Sequence, residues 1–325
     1  MTTSGYRLVR RPVSVVRPPT LDAAQQAVVD HVGGPLLVAA GPGTGKTTTL
    51  VEAVVARIDT RVDPERVLVL TFSRKAASEL RQRVTGRLGR TLREPLARTF
   101  HSYAYGVLRR DAVLRGEPAP RLLSGPEQDV LVRELLRGEV AGDGPPSGWP
   151  DAVRAGLLTR GFAQELRDLL MRATERGIDA KGLDRLGRRH DRPEWRAAAR
   201  FLRQYAEVTA LAEAAAFDPA ELVRVVLDRG LADSERGAYD WVFVDEYQDC
   251  DPLQEELLRR LVPAGGNVVA VGDPRQSIYG FRGADPGCVA RFPHAFAGLD
   301  GVPAPVVRLV TCRRSTPRVV AAGET

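Results

Sequence analysis

The sequence predicts an α/β protein whose parallel, doubly wound sheet is interrupted by an all-helical inserted subdomain. Three observations predict it. Apolar runs at Pro35–Ala40, Val67–Phe72, Trp241–Val244, Val268–Val271 and Val306–Val310 are four to six residues long, rich in Val and Leu, and bounded by Gly, Pro or Asp. Such runs read as strands buried on both faces. A helical stretch from Thr47 to Ile58 joins the first two runs, and this strand–helix–strand order means a doubly wound sheet. Between Tyr105 and Arg236 the apolar residues instead fall at helical spacing, as in Val130, Leu131, Leu135 and Leu136, or Leu166, Leu169 and Leu170.

In chain order, residues 1–18 form an arm rich in Pro and Arg. A helix is expected from about Leu21 to His31, capped by Thr20 or Asp22. Residues 19–104 carry the first part of the sheet, 105–236 the helical insertion and 237–304 the second part. Gly/Pro-rich breaks punctuate the insertion, most clearly AGDGPPSGWP at 141–150. Pro303 and Pro305 mark an exit from the sheet, so 305–325 are expected to begin a second domain. No internal repeat is present.

Composition bounds the function without naming it. The 325 residues carry 47 basic and 41 acidic side chains, net +6, which permits a nucleic-acid partner without requiring one. Only Lys46, Lys75 and Lys181 are lysines, so the basic charge is almost all arginine. No apolar run approaches the roughly 20 residues of a membrane helix. Cys250, Cys288 and Cys312 form no CxxC pair and suit a reducing, cytoplasmic setting. His31, His101, His190 and His294 are too scattered to suggest a metal cluster.

The sharpest local signal is AGPGTGKTTT, Ala40 to Thr49, which follows one apolar run and opens a helix. That context makes a phosphate-binding loop. Gly41, Gly43 and Gly45 let backbone N–H groups turn toward phosphate oxygens, with Pro42 and Thr44 completing the turn. The helix start adds its positive end, Lys46 can reach the β- and γ-phosphates, and Thr47 can bind Mg²⁺, with Thr48 beside it. The competing reading is a plain Gly-rich turn. A lysine in this strand–loop–helix setting argues against it.

A second signal is WVFVDEYQD, where a strand ends in Asp245 and Glu246. Adjacent carboxylates at the C-terminal end of a parallel strand stand at the ligand crevice. Asp245 can hold Mg²⁺ while Glu246 orients or deprotonates the attacking water. The bland alternative is an acidic turn.

Together these pieces resemble superfamily 1 DNA helicases of the UvrD/Rep/PcrA type and their RecB-like helicase–nuclease relatives. The matching segments occur in order: LDAAQQAVV at 21–29, AGPGTGKTTT at 40–49, VLVLTFSRKAASELRQRV at 67–84, TFHSYAYGVLRR at 99–110, VDEYQD at 244–249, VGDPRQSIYGFRGAD at 271–285 and a divergent LVTCRRS at 309–315. The resemblance implies a RecA-like P-loop NTPase using ATP and Mg²⁺, with single-stranded DNA and duplex junctions as substrates and 3′-to-5′ polarity. It implies that Gln25 reads adenine, Gln276 senses the γ-phosphate, and Arg314 acts as an arginine finger. Phe72 and Phe281 would stack bases. Thr71, Ser73, Arg74, Thr99, His101, Tyr279 and Arg282 would line the strand's path. Two departures stand out: Thr48 replaces a common arginine, and Arg313 replaces a tyrosine that stacks on the base, a job a guanidinium can also do.

The resemblance also implies a second RecA-like domain beyond Arg314, and for the helicase–nuclease subgroup a second subunit. A chain ending at Thr325 is therefore expected to bind nucleotide weakly and not to unwind DNA by itself. Two other readings stay open on the residues alone: a P-loop ATPase acting on RNA or as a switch, and a truncated, non-catalytic DNA-binding module.

Overall fold

A computed structural model describes residues 17–90, 92, 96–210, 216–277, 284–285 and 287–314. The order begins with α1 (Ala23–Val29), β1 (Leu36–Ala40), α2 (Lys46–Asp59), β2 (Val67–Thr71), α3 (Arg74–Leu88), β3 (Ala97–Thr99) and α4 (Phe100–Arg115). The middle holds β4 (Arg121–Leu122), α5 (Gly125–Ala141), α6 (Asp151–Arg154), α7 (Arg160–Glu175), α8 (Ala180–Arg189), α9 (Pro193–Ala210), β5 (Ala216–Phe217), α10 (Pro219–Asp228) and α11 (Leu231–Ser234). The chain then returns through β6 (Trp241–Val244), α12 (Pro252–Leu261), β7 (Val268–Gly272), α13 (Gly287–Ala295) and β8 (Val306–Leu309).

Six strands form one sheet in the order β3-β2-β6-β7-β1-β8, every pairing parallel. Alternate residues feed opposite faces, as the two-residue strand period requires. Leu36, Val38, Val67, Val69, Trp241, Phe243, Val269 and Val271 pack with Leu50 and Val54 of α2 and Leu80 and Val84 of α3. Leu37, Leu68, Leu70, Val242, Val244, Val268 and Ala270 pack with Tyr103 and Leu108 of α4, Leu257 of α12 and Phe292 of α13. Both faces are covered, so the strands β1, β2, β6 and β7 read as unbroken apolar runs.

Four features differ from the sequence expectation. Strand β3 was not expected; its three residues include Arg98 and give too short an apolar signal. The insertion is not wholly helical, because β4 and β5 form a two-stranded parallel ladder with Arg121 opposite Ala216 and Leu122 opposite Phe217. Its separate core, from Val132 to Tyr205 around Trp149, Leu166 and Phe201, is narrower than the expected span 105–236. Helices α4, α10 and α11 pack on the sheet instead, through Val107, Leu222, Val226 and Ala232. Helical spacing reveals an apolar stripe but not which core it faces. Finally, the described part of the expected second-domain start, residues 305–314, contributes β8 to this same sheet, where Val38 pairs with Val307. Pro303 and Pro305 precede an edge strand, a place that tolerates proline, and the Pro305 carbonyl accepts from Leu37 N at 3.0 Å.

Helix α7 ends at Glu175 against the N-caps of α10 and α12, Asp218 and Asp251. Glu175 Oε2 is buried without a partner. Burial, then Asp251 and Asp218, pushes its carboxyl up to about 8, partly countered by Arg172 and Arg176. The folded chain therefore keeps a proton that the unfolded chain releases in the ordinary carboxylate range. Stability should fall as pH rises from that range to about 8, then level off. Denaturant titrations across this window should show a shallower decline for Glu175→Gln than for the parent. Equal slopes in the two proteins would contradict this assignment.

Candidate functional site

All six parallel strands finish on one edge of the sheet, and every candidate segment except the one in α1 leaves from a strand end there. The loop 41–45 follows β1, Phe72 and Ser73 follow β2, and α4 follows β3 directly. Asp245 and Glu246 follow β6, residues 273–277 follow β7, and residues 310–314 follow β8. This is the ligand crevice of an open α/β sheet.

In the loop, buried Ala40 ends β1, exposed Pro42 forms the tip, and the Thr44 hydroxyl donates to the Gly41 carbonyl at 2.8 Å. Gly43 and Gly45 have φ of +71° and +87°, the left-handed region that costs glycine least. Gly45 is the N-cap of α2, and no side chain caps that helix. The first N–H groups of a 14-residue helix are thereby left for another acceptor, as an anion site requires. Thr47 and Thr48 sit half-buried in its first turn.

Two parts of the chain close around this loop. Gln25 is 1 % exposed; its Nε2 donates to Thr44 O at 3.0 Å, and its Oε1 accepts from Asp22 N at 3.1 Å. The Asp22 carboxylate in turn caps Gln25 N at 2.8 Å. Both ends of the amide expected to read adenine are thus engaged within the protein, supporting α1 and the loop. On the other side, Arg313 N donates to Gly43 O at 2.8 Å, and the Arg313 guanidinium pairs with Asp22 at 2.9 Å. A Cβ on Gly43 would lie 2.7 Å from Arg314 Cβ and 2.8 Å from Cys312 Sγ.

The acidic strand end meets the loop directly. Lys46 Nζ lies 3.0 Å from Glu246 Oε2, although the residues are 200 apart in sequence. Glu246 has φ +51°, an uncommon value for a side-chain-bearing residue and one that clusters at functional sites. Asp245 is 4 % exposed; its backbone N donates to Leu70 O, and Oδ1 accepts from Glu246 N at 3.1 Å. Burial, then the neighbouring Glu246, pushes Asp245 up to about 7, while Lys46 acts in the opposite direction. Asp249 is likewise pushed up to about 6, first by burial and then by Glu246.

Gln248, which the sequence analysis did not single out, extends this contact. It is 1 % exposed, donates through Nε2 to Glu246 Oε2 at 2.8 Å, and accepts from Asp273 N through Oε1 at 3.0 Å. The Asp273 carboxylate then takes Gln276 Nε2 at 2.9 Å and Arg275 N at 3.1 Å. A continuous chain of polar contacts therefore runs from Lys46 through Glu246, Gln248 and Asp273 to Gln276. The quoted VDEYQD segment contained Gln248, but the role depends on β7 lying beside β6, which spacing does not reveal.

The candidate DNA contacts share the same edge unevenly. Ser73 and Arg74 are exposed, and Ser73 caps α3 by accepting from Ala76 N at 3.0 Å. Phe72 is half-buried, its ring 5.4 Å from that of Phe100. Thr71 is buried with an unpartnered hydroxyl, and Thr99 is buried and caps α4 in a reciprocal bond with Ser102. Burial lowers the pKa of His101, which favours its neutral form. Tyr279, Phe281 and Arg282 lie outside the described residues.

These donors fit a nucleoside triphosphate with Mg²⁺. The uncapped helix start and Lys46 suit phosphate, and the crowded Asp245–Glu246 carboxylates call for a cation. Among the described residues no group of three or more His, Cys, Asp or Glu is placed to hold a metal. Mg²⁺ needs no such cage, because one or two protein oxygens and the phosphates suffice.

The Gly43 contact can be tested. Gly43→Ala places a methyl at φ +71° against Arg314 Cβ. It should cost about 1–3 kcal/mol of stability, read by denaturant titration. Hydrogen exchange at the Arg313 amide should quicken as its bond to Gly43 O is lost. Unchanged stability and exchange would mean that the two segments are not in contact.

Residues 21–297 match the family model for the UvrD/REP helicase N-terminal domain. The chain is similar to the ATP-dependent DNA helicase PcrA of Staphylococcus epidermidis, 28% identical over 271 residues, covering 82% of this chain and 35% of that protein. It is also similar to a probable DNA helicase II homolog of Rickettsia conorii, 28% identical over 316 residues, covering 93% of this chain and 44% of the relative. A probable DNA helicase II homolog of Mycoplasma capricolum is 25% identical over 289 residues, with 87% and 38% covered. The chain spans less than half the length of these curated relatives. The match over most of the chain, on a sheet that gathers the phosphate loop and the acidic strand end, shows that it belongs to the UvrD/REP helicase N-terminal domain family.

Proposed function

We propose that this chain is the ATP-hydrolysing motor part of a DNA helicase, coupling hydrolysis to 3′-to-5′ movement along single-stranded DNA in repair or recombination. The observation that carries the reading is the 3.0 Å contact between Lys46 and Glu246. It joins the phosphate loop to the acidic strand end, and the relay through Gln248 continues it to Gln276.

Each residue has a definite task in this reading. The amides at the start of α2 and the Lys46 ammonium hold the triphosphate. Thr47 and Asp245 would hold Mg²⁺, which when bound neutralises charge on the phosphate oxygens. Glu246 orients the attacking water and takes its proton. Lys46 exchanges its contact with Glu246 for phosphate, which frees that carboxylate to act. Gln276 senses the γ-phosphate, and Arg314 stabilises charge on the transferring phosphoryl group. Arg313 stacks on the base, with Gln25 supporting the loop beneath it. Phe72, Ser73, Arg74 and His101 meet the DNA strand, as do Tyr279, Phe281 and Arg282. We assign the motor to two RecA-like stretches flanking the helical core, the first running through α4 and the second from α10 through β8. The free thiols Cys250 and Cys288 suit a cytoplasmic location, and no helix among the described residues is long and apolar enough to cross a membrane.

Three measurements on the full-length protein test the reading. Single-stranded oligonucleotide should stimulate ATP hydrolysis by on the order of tenfold. Lys46→Ala should lower hydrolysis by about 100-fold or more, because it removes a donor aimed at developing phosphate charge. Strand displacement should need a 3′ overhang. ATPase activity indifferent to both DNA and Lys46→Ala would refute the assignment.

A further inference from the structure

The two helices that start at the candidate ATP and DNA sites are joined by one polar fork. Helix α2 starts at Lys46 and α3 starts at Arg74, beside Phe72 and Ser73. Both oxygens of Glu52 on α2 are taken by the Arg87 guanidinium on α3, Nε to Oε1 at 2.6 Å and Nη2 to Oε2 at 2.8 Å. The side chains are 10 and 14 % exposed. Around them the helices share an apolar seam of Leu50, Val54, Ile58, Leu80 and Val84.

An apolar seam lets packed helices slide by small shears. A two-pronged guanidinium–carboxylate contact does not, because planar bidentate geometry fixes both register and rotation. Glu52 is six residues beyond Lys46, about 9 Å along α2. Arg87 is in the last turn of α3, about 20 Å from Arg74. A second arginine on α3, Arg81, donates to Ala97 O of the edge strand β3 at 2.8 Å. That strand leads into Thr99, the cap of α4, and then His101. Helix α3 is therefore pinned to the phosphate-loop helix at one place and to the edge strand at another. Movement of α2 reaches both candidate DNA-contact segments through α3.

We propose that Glu52 and Arg87 are positioning residues that couple the ATP site to the DNA site by locking α2 to α3. The inference rests on the ATP- and DNA-dependent reading above, and it concerns the linkage between the two activities rather than either alone.

The test uses the full-length protein and its Glu52→Gln and Arg87→Lys variants. ATP hydrolysis is measured with and without a single-stranded oligothymidylate, alongside oligonucleotide affinity and thermal melting. In both variants hydrolysis without DNA should stay within about twofold of the parent, while stimulation by DNA falls by on the order of tenfold. Oligonucleotide affinity without nucleotide should be unchanged. The reversed pair, Glu52→Arg with Arg87→Glu, should regain stimulation; if it does not fold, Arg87→Lys alone decides, because it keeps the charge and removes the fork. Full stimulation in Arg87→Lys overturns the proposal. A parallel fall of basal hydrolysis, stimulated hydrolysis and melting temperature also overturns it, since that marks a merely structural pair. A parent protein that DNA does not stimulate overturns the underlying functional reading.

Discussion

The contact between Lys46 and Glu246 is the constraint around which the chain is arranged. A lysine at the start of one helix and a carboxylate at the end of one strand must meet across 200 residues of sequence. Parallel strands meet this requirement because every strand end points to the same edge. Strand β7 lies between β1 and β6, so the two partners approach across an intervening strand end. Gln248 and Asp273 occupy that end, where Asp273 N donates to the Gln248 amide oxygen. The left-handed backbone at Glu246 follows from the same demand: the carboxylate reaches Lys46 while Asp245 beside it is buried. The apolar packing on both faces keeps these ends in register.

Electrostatics at this edge is tightly balanced. Asp245, Glu246 and Asp249 crowd within one turn, and burial raises the first and last toward neutrality. Lys46 offsets part of that cost, and a bound cation would offset more. The uncapped start of α2 is the complementary feature on the phosphate side. Among helices of eight or more residues whose N-cap is described, α3, α4, α5, α7, α8, α10 and α12 each receive a side-chain cap, whereas α2 leaves its first amides open.

Much of this was legible in the sequence because it is local. The loop after β1 carries its glycines, lysine and threonine side by side, so AGPGTGKTTT marks its strand–loop–helix turn directly. Strands buried on both faces are plain runs of Val and Leu, and WVFV ends at Asp245 for the same reason. Features made by tertiary contact were hidden. The three residues of β3 gain strand character only by pairing with β2. Gln25 looked available for a base, but its amide is tied to Thr44 and Asp22. The run 306–309 carried no mark saying which sheet it joins; its pairing with β1 decides that. Residue spacing likewise could not divide the long helical region between two cores. Spacing records which face is apolar, and the partner face belongs to the fold.

The small ladder of β4 and β5 has a consequence of a different kind. Arg121 pairs with Ala216 and Leu122 with Phe217, so the chain departs for the helical subdomain and returns at adjacent points. The subdomain has a core of its own and meets the sheet's helices at this neck and at Glu175 of α7. Change within that core leaves the ends of the strands where they are so long as α7 keeps its place against α10 and α12. Such an attachment makes the helices a cassette that can be reshaped around α7 while the sheet edge carrying Lys46 and Glu246 stays the same.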